Sequence, residues 1–201
     1  LESHQTLGEP VMKKTIFLLT AMLLGGCATH WPEIAYINPQ IIPSNQQYYS
    51  GNSVTLEGVD RREAAYVISV KKKDQAAILV GTDRPLATIL SDKLSEGLRS
   101  QGLNVGNIGS THVQLEVLQA AVTVEEKTFT YVTRAKVSLK ITADYQGNKV
   151  SKQFNASSSK EGPGQPDMAE LESILNQHLG NLLQQMMSDQ QVRAYIKGQA
   201  S

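Results

Sequence analysis

Cys27 is the residue of this sequence best suited to covalent chemistry. It is the only cysteine, so no disulfide can form within one chain. A thiolate is a strong nucleophile, and Gly25 and Gly26 before it leave the backbone open to a protease. These residue types predict modification of the thiol and cleavage of the chain at the same place.

The residues before Cys27 have the order of a bacterial export signal. Met12 is the predicted start of translation, and Lys13 and Lys14 precede an apolar run over residues 15–24. A ten-residue helix is roughly 15 Å long, whereas the hydrocarbon core of a membrane is roughly 30 Å thick. The run is therefore too short to span a membrane comfortably.

The sequence Leu24-Gly25-Gly26-Cys27 resembles the lipobox of bacterial lipoproteins. The resemblance implies lipid attachment to Cys27, including palmitate, and cleavage between Gly26 and Cys27. Two alternatives are a free thiol behind an ordinary secretory signal and an uncleaved anchor helix. Position 28 is Ala, whereas Asp there resembles the signal for retention in the inner membrane, so we expect an outer-membrane lipoprotein that faces the periplasm.

The charge of the chain is balanced, with 19 basic and 19 acidic residues. Removal of residues 1–26 takes away two of each sign and leaves the remainder neutral. No net field draws such a protein to nucleic acid or to an anionic bilayer, so nucleic acid is not an expected partner. The expected membrane attachment is through lipid on Cys27, since two or more acyl chains anchor a protein stably.

No grouping of residues predicts an active site. The sequence has no HExxH or CxxC motif, no serine elbow and no phosphate-binding glycine loop after a strand. His112 begins a predicted strand, and His178 lies on a helix stripe, where a structural role is the alternative to a ligand or acid–base role. We therefore predict no catalytic residue, no metal ligand and no cofactor.

Two charged clusters are candidates for binding. Asp60-Arg61-Arg62-Glu63 follows a predicted strand, and it is either a binding edge or a solvated turn with weak local ion pairs. Lys71-Lys72-Lys73 separates two short apolar runs, and it is either an anion site or a solvated hairpin turn.

The chain divides into three predicted segments. Residues 1–26 are upstream residues and a cleaved signal peptide, residues 27–52 are the lipidated cysteine and an extended tether, and residues 53–201 are one periplasmic domain. Three prolines and many polar residues indicate the tether. Its aromatic residues either touch a partner or the lipid surface, or pack the tether onto the domain.

The periodicity of the domain predicts an α+β fold. Alternation from Phe129 to Tyr145 predicts a long strand with one dry face, and a change of register near Gln119 predicts a bulge in the strand before it. Apolar stripes that begin at Leu86 and at Leu171 predict two amphipathic helices. We expect an antiparallel sheet of four to six strands with two long helices packed on one face.

The sequence resembles the YajG family of uncharacterised proteobacterial lipoproteins. The residues that carry the resemblance are Ile34 to Pro43, Val54-Thr55-Leu56, Gly58-Val59-Asp60-Arg61-Arg62, Gln101-Gly102-Leu103-Asn104-Val105, Gly147-Asn148-Lys149, Lys160-Glu161-Gly162 and Ala194-Tyr195-Ile196-Lys197. The family implies an outer-membrane lipoprotein without an assigned activity, so no catalytic residue carries over.

Three functional hypotheses follow. The first is a non-enzymatic binding or accessory module of the cell envelope with a protein partner. The second is an envelope hydrolase whose site is assembled out of sequence order, which predicts a deep pocket lined by His112 or His178 with a carboxylate. The third is a lipid carrier, which predicts a large apolar cavity between the helices and the sheet.

Overall fold

The alternating apolar segments form one mixed β-sheet with helices packed against it. The structure is a computed structural model that describes residues 31–198. Residues 32–198 belong to one compact unit. The strands are β1 (Ile34–Ala35), β2 (Ser53–Asp60), β3 (Ile68–Lys71), β4 (Ile78–Thr82), β5 (Asn104–Gly106), β6 (Thr111–Glu126), β7 (Thr130–Tyr145) and β8 (Asn148–Pro163). The helices are α1 (Leu86–Ser100), α2 (Met168–Ser188) and α3 (Gln190–Ile196).

Strand β6 is the centre of the sheet. One of its edges pairs with β7 along the whole strand, and β7 pairs in turn with β8, both antiparallel. The other edge is shared, because β2 pairs with its first half and β3 with its second half, both parallel. Beyond them, β5 adds to β2, and β4 and then β1 add to β3.

The predicted fold class, an antiparallel sheet of four to six strands with two long helices on one face, is wrong. The described residues form eight strands in a mixed sheet, with four of its seven pairings parallel, and three helices. Alternation of apolar and polar residues is the same in both pairing directions when one face is buried, so it does not report direction. The strands β1 and β5 have only two and three residues, which is too short for a periodic signal.

One segment has a conformation that its composition does not indicate, and one predicted feature is confirmed. Residues 157–163 contain three serines, a glycine and a proline, a composition typical of a loop, yet they continue β8 because they pair with residues 130–136 of β7. Tertiary pairing here overrides local propensity. The bulge predicted near Gln119 is confirmed, since the register of β6 against β7 shifts between Val117 and Gln119.

The core lies between the sheet and the helices. Helix α1 packs on β2, and α2 packs on β7 and β8. The helix leucines that face the sheet are at most 1% exposed, and they are Leu86, Leu90, Leu94, Leu98, Leu171, Leu175, Leu179, Leu182 and Leu183. Full burial of a leucine side chain stabilises a fold by about 1.5–3 kcal/mol, so this layer is a large part of the stability.

The aromatic residues of the predicted tether have different surroundings. Tyr49 is fully buried, and this burial raises the pKa of its phenol to about 12 against a smaller opposing effect of Arg193. The Arg193 guanidinium lies 4.0 Å from the centre of the Tyr48 ring, in cation–π contact. Tyr36 is 69% exposed. The first two therefore pack against the domain, whereas Tyr36 faces solvent.

Residues 36–44, here called the strap, lie along α2. The strap has no strand partner, and side chains of α2 accept hydrogen bonds from its backbone instead. The backbone N–H groups of Tyr36, Asn38 and Ile42 donate to Glu172 at 2.6 Å, Asn176 at 2.8 Å and Gln184 at 3.1 Å. These bonds satisfy donors that would otherwise need water.

Gly180 permits the close approach of the strap to α2. A Cβ added at Gly180 would lie 2.3 Å from the carbonyl oxygen of Gln40. Intrinsic helix propensity favours alanine over glycine by about 1 kcal/mol within a helix, so the glycine is explained by this contact and not by the helix.

We predict that Gly180→Ala destabilises the protein by about 1–3 kcal/mol, because the added methyl group displaces the strap. Urea unfolding measures the change in free energy. Gly106→Ala is the control, since a Cβ there meets nothing within 4 Å. A Gly180→Ala variant more stable than the native chain would show that helix propensity, not the strap, decides this position.

Candidate binding cleft

The cluster Asp60-Arg61-Arg62-Glu63 lies where the edge of β6 changes partner. Pairing with β2 ends at Asp60 opposite Val117, and pairing with β3 begins at Ile68 opposite Val122. Residues 118–121 of β6 have no strand partner on this edge. Residues 61–67, here called the bridging loop, connect β2 to β3 across that interval.

The bulge in β6 coincides with this unpaired interval. A bulge places an extra residue in one strand and bends it, so a single straight partner cannot follow both halves of β6. The chain instead leaves the edge of β6 after Asp60 and returns to that edge at Ile68. Two hydrogen bonds close the ends of the interval, from the Arg61 N–H to the Val117 carbonyl at 2.9 Å and from the Val122 N–H to the Val67 carbonyl at 2.8 Å.

A cleft of about 450 Å³ lies beneath the bridging loop. Its lining residues are Arg61, Arg62, Glu63, Ala64, Tyr66, Leu118, Gln119, Ala120, Ala121, Ser138 and Gln153. Ser138 comes from β7 and Gln153 from β8, and the Gln153 amide donates to the Ser138 hydroxyl at 2.9 Å. The cleft therefore combines apolar and hydrogen-bonding groups, as ligand sites in proteins do.

Arg62 holds the bridging loop in place. Its guanidinium binds the Asp60 carboxylate through two parallel hydrogen bonds, at 2.9 Å and 2.8 Å, and donates to the Tyr66 carbonyl at 3.1 Å. The Arg62 side chain is only 6% exposed. Burial raises the pKa of the Asp60 carboxyl, but the hydrogen bonds and charge of Arg62 outweigh it and hold the pKa below its ordinary value.

Arg61 stands at the rim of the cleft. Its Nε donates to Glu116 at 3.3 Å, and Glu116 also accepts from Lys140 at 2.5 Å. The hydrogen bond from Lys140 lowers the pKa of Glu116, and Arg61 adds to the effect. The Arg61 side chain is 59% exposed, and its Nη groups have no hydrogen-bond partner among the described residues. They are available to a carboxylate or carbonyl group of a ligand.

His112 and His178 lie elsewhere. His112 Nδ1 is 2.8 Å from the Thr55 hydroxyl, and His112 Nε2 is 3.3 Å from Glu57. His112 and Glu57 are about half exposed. His178 Nε2 is 2.8 Å from the Ser158 hydroxyl, and burial lowers the pKa of His178. Neither histidine lines the cleft beneath the bridging loop.

The predicted lipidation residues Leu24, Gly25, Gly26 and Cys27 lie outside the described residues. Within residues 31–198, no group of three or more His, Cys, Asp or Glu side chains is placed to hold a metal ion. No helix in that same part of the chain has the length and hydropathy needed to cross a membrane.

Comparison with known proteins gives the family. A sequence model described as "Uncharacterized lipoprotein" (Lipoprotein_16) matches residues 39–197. The chain belongs to this lipoprotein family. Lipoprotein YajG of Escherichia coli (strain K12) is 28% identical over 193 residues, which are 94% of this chain and 100% of that protein, and YajG of Escherichia coli O6:H1 matches to the same extent. The resemblance to the YajG family is thus confirmed.

The fold of this lipoprotein also occurs in a solved structure. Protein XCC0632 from Xanthomonas campestris superposes with a TM-score of 0.58 at 12% identity, covering 84% of this chain and 98% of that one. At this identity the likeness concerns the fold alone. It shows that the arrangement of strands and helices recurs in a second sequence.

Sequence reasoning singled out the Asp60 to Glu63 cluster but missed the other side of the cleft. Ser138 and Gln153 are ordinary polar residues on the wet face of two strands, and Tyr66 and Leu118 carry no motif. Only the registers of β6, β7 and β8 bring them under the bridging loop. On the side of the cleft formed by β6, β7 and β8, the predicted bulge near Gln119 was the one signal in the sequence.

We predict that Arg62→Ala destabilises the lipoprotein by about 2–4 kcal/mol, because it leaves the Asp60 carboxylate and the Tyr66 carbonyl without their partner. Arg62→Lys should recover only part of this loss, since an ammonium cannot form the paired hydrogen bonds. Urea unfolding measures both variants. Arg61→Ala is the control and should cost less than about 1 kcal/mol, because the Arg61 side chain is 59% exposed and Glu116 keeps its ion pair with Lys140. Equal losses at the two positions would refute the role given to Arg62.

Proposed function

We propose that this lipoprotein is a non-enzymatic binding module of the cell envelope, anchored by lipid on Cys27 and facing the periplasm from the outer membrane. The observation that carries the binding role is the cleft beneath the bridging loop, whose wall is held by the buried Arg62. A preformed cleft loses little conformational freedom when a ligand binds.

The anchoring part of the proposal is supported by the sequence before the domain. Membership of a lipoprotein family agrees with the Leu24-Gly25-Gly26-Cys27 motif. The residue after Cys27 is Ala28, and its type supports the outer membrane over the inner one. Lipid with two or more acyl chains is enough to hold a neutral domain at a membrane.

The chemistry of the cleft favours a protein partner. Arg61 offers unused guanidinium donors, and Ser138 offers its hydroxyl proton. Gln153 offers its amide oxygen, because its amide nitrogen already donates to Ser138 and Asn155. Residues 118–121 offer an unpaired strand edge. An extended protein segment carries carbonyl and carboxylate groups at spacings that such donors recognise. Leu118 and three alanines, Ala64, Ala120 and Ala121, add apolar contact, and burial of apolar surface is the dominant favourable term in most protein association.

A hydrolase is the second candidate, and the contact chain Thr55, His112 and Glu57 is the observation that favours it. Catalysis by such groups depends on a site that excludes water, where charges act strongly. Half-exposed side chains on the open face of a sheet lack that setting. A lipid carrier has less support, because fully buried leucines fill the space between the helices and the sheet.

We predict that the native chain, expressed in bacteria, incorporates radioactive palmitate and that Cys27→Ala does not. The reason is that Cys27 is the only thiol available for acylation. Autoradiography of the purified protein measures the label. An unlabelled native chain would end the anchoring proposal.

The binding proposal is tested by photo-crosslinking in cells. A crosslinker at Ala64, in the bridging loop, should capture one recurrent protein band, and the same crosslinker at the exposed Glu96 of α1 should not. Arg61→Glu in the Ala64 crosslinking chain should reduce the yield at least tenfold, because it replaces the free donors with a repelling carboxylate. Identical bands from Ala64 and Glu96, or a yield unaffected by Arg61→Glu, would count against the cleft.

A further inference from the structure

Two hairpin turns lie together at one end of the sheet. Lys71 is the last residue of β3, the turn that follows it contains Lys72 and Lys73, and the turn between β6 and β7 contains Lys127 and Phe129. They are neighbours because Lys71 of β3 pairs with Glu125 of β6 in a parallel ladder. The two turns line one cleft of about 740 Å³. We call these two turns, together with Lys71 at the end of β3, the basic end.

The unpaired charge at the basic end is positive. Glu125 is paired with Arg134 at 3.1 Å, and Glu126 with Lys72 at 3.5 Å. Among the described residues, Lys71, Lys73 and Asp74 of these turns have no ion-pair partner, which leaves a net positive charge. Lys127 has one exposed pair, with Glu161 at 3.5 Å.

Phe129 adds an apolar group beside these lysines. Its side chain is 83% exposed, and it is one of the most exposed large apolar residues of the described chain. An exposed aromatic ring next to lysines is typical of a surface that contacts lipid headgroups, since the ring enters the interface while the ammonium groups meet phosphates.

The direction of β1 brings the chain into the domain from the same end. Strand β1 runs parallel to β4, with Ile34 opposite Gly81 and Ala35 opposite Thr82. The Gly81 N–H also donates to the Glu33 carbonyl at 2.9 Å, so the parallel course extends one residue upstream. Because β4 begins directly after the lysine turn, residues before Ile34 approach from the basic end.

The chain between the domain and the lipidation site is short. Five residue steps separate Pro32 from Cys27. A chain spans at most about 3.6 Å per residue, so Cys27 lies within about 18 Å of Pro32 in any conformation. A lipid on Cys27 therefore keeps the bilayer close to the end of the domain at which β1 begins.

We propose that the basic end rests on an anionic phospholipid bilayer, the same membrane in which the lipid on Cys27 is inserted. The inference depends on the lipidation proposed above: the lipid supplies attachment, and the lysines and Phe129 supply orientation. Each lysine at an anionic surface favours the bound orientation by about fivefold. Screening limits this attraction to roughly 8 Å, so only the end nearest the bilayer contributes.

This orientation places the cleft beneath the bridging loop away from the membrane. Strand β6 runs from the bulge at Val117 to Glu126 at the basic end. At about 3.3 Å per residue this is a strand length of roughly 30 Å. The cleft then faces the space beyond the headgroups, where a protein partner has access to it.

The test uses the lipidated full-length protein with a single fluorophore. Because the lipid blocks Cys27, an introduced cysteine is the only thiol that reacts with the dye. Gln75→Cys places the dye at the basic end, and Asn148→Cys places it on the first residue of β8, at the other end of the ladder between β7 and β8. The vesicles contain phosphatidylcholine, one third phosphatidylglycerol and a headgroup spin label that quenches nearby dyes.

We expect quenching at Gln75→Cys to be at least fivefold stronger than at Asn148→Cys. Lys71→Gln combined with Lys127→Gln should lower the ratio of bound to free orientation about 25-fold, as should omission of phosphatidylglycerol. Lys136→Gln combined with Lys149→Gln removes the same charge away from the basic end and should leave the quenching unchanged.

Two results overturn the inference, and they are distinguishable by flotation of the vesicles. If the protein floats with the vesicles but both dyes are quenched equally, or the Asn148→Cys dye more strongly, the lipid anchor stands and the orientation is refuted. If the native protein does not float with the vesicles, lipid anchoring fails, and the orientation fails with it.

Discussion

The structure depends on the pairing of β6, whose two edges differ in the number and direction of their partner strands. One edge forms an uninterrupted antiparallel ladder with β7, apart from the register shift at Val117. The other edge supports two separate parallel strands, β2 and β3, in line. The interval between those two strands, residues 118–121 of β6, has no strand partner on this edge. The bridging loop crosses this interval and is hydrogen-bonded to β6 at the two ends. The cleft exists because the loop does not fill the space between those ends.

Arg62 shows how a small sequence detail acts on this arrangement. A guanidinium taken out of water is costly unless every nearby polar group is paired with it. Here the guanidinium binds the carboxylate of Asp60 and the carbonyl of Tyr66, so its partners all lie within or next to the bridging loop. Arg61, one position earlier, faces outward and keeps free donors. Adjacent arginines thus have different roles, one structural and one available for binding.

The strap holds the segment after β1 against the domain. Residues 36–44 lie against α2 through hydrogen bonds from the backbone to helix side chains. The segment therefore acts as part of the domain. In the orientation proposed above, one end of the sheet faces the lipid and the polar cleft faces away from it.

The sequence by itself determined the local features, because they depend on neighbouring residues. These are the lipobox as a pattern, the apolar stripes of α1 and α2, the alternation of β7, the bulge near Gln119 and the family. It did not determine the topology of the sheet. Alternation of apolar and polar residues is the same for parallel and antiparallel pairing, and a two-residue strand is too short to show any period. Only the tertiary structure decided that β2 and β3 share one edge of β6 and that Ser138 and Gln153 lie under the bridging loop. Such contacts join residues far apart in the chain, and their registers are set by packing of the whole sheet.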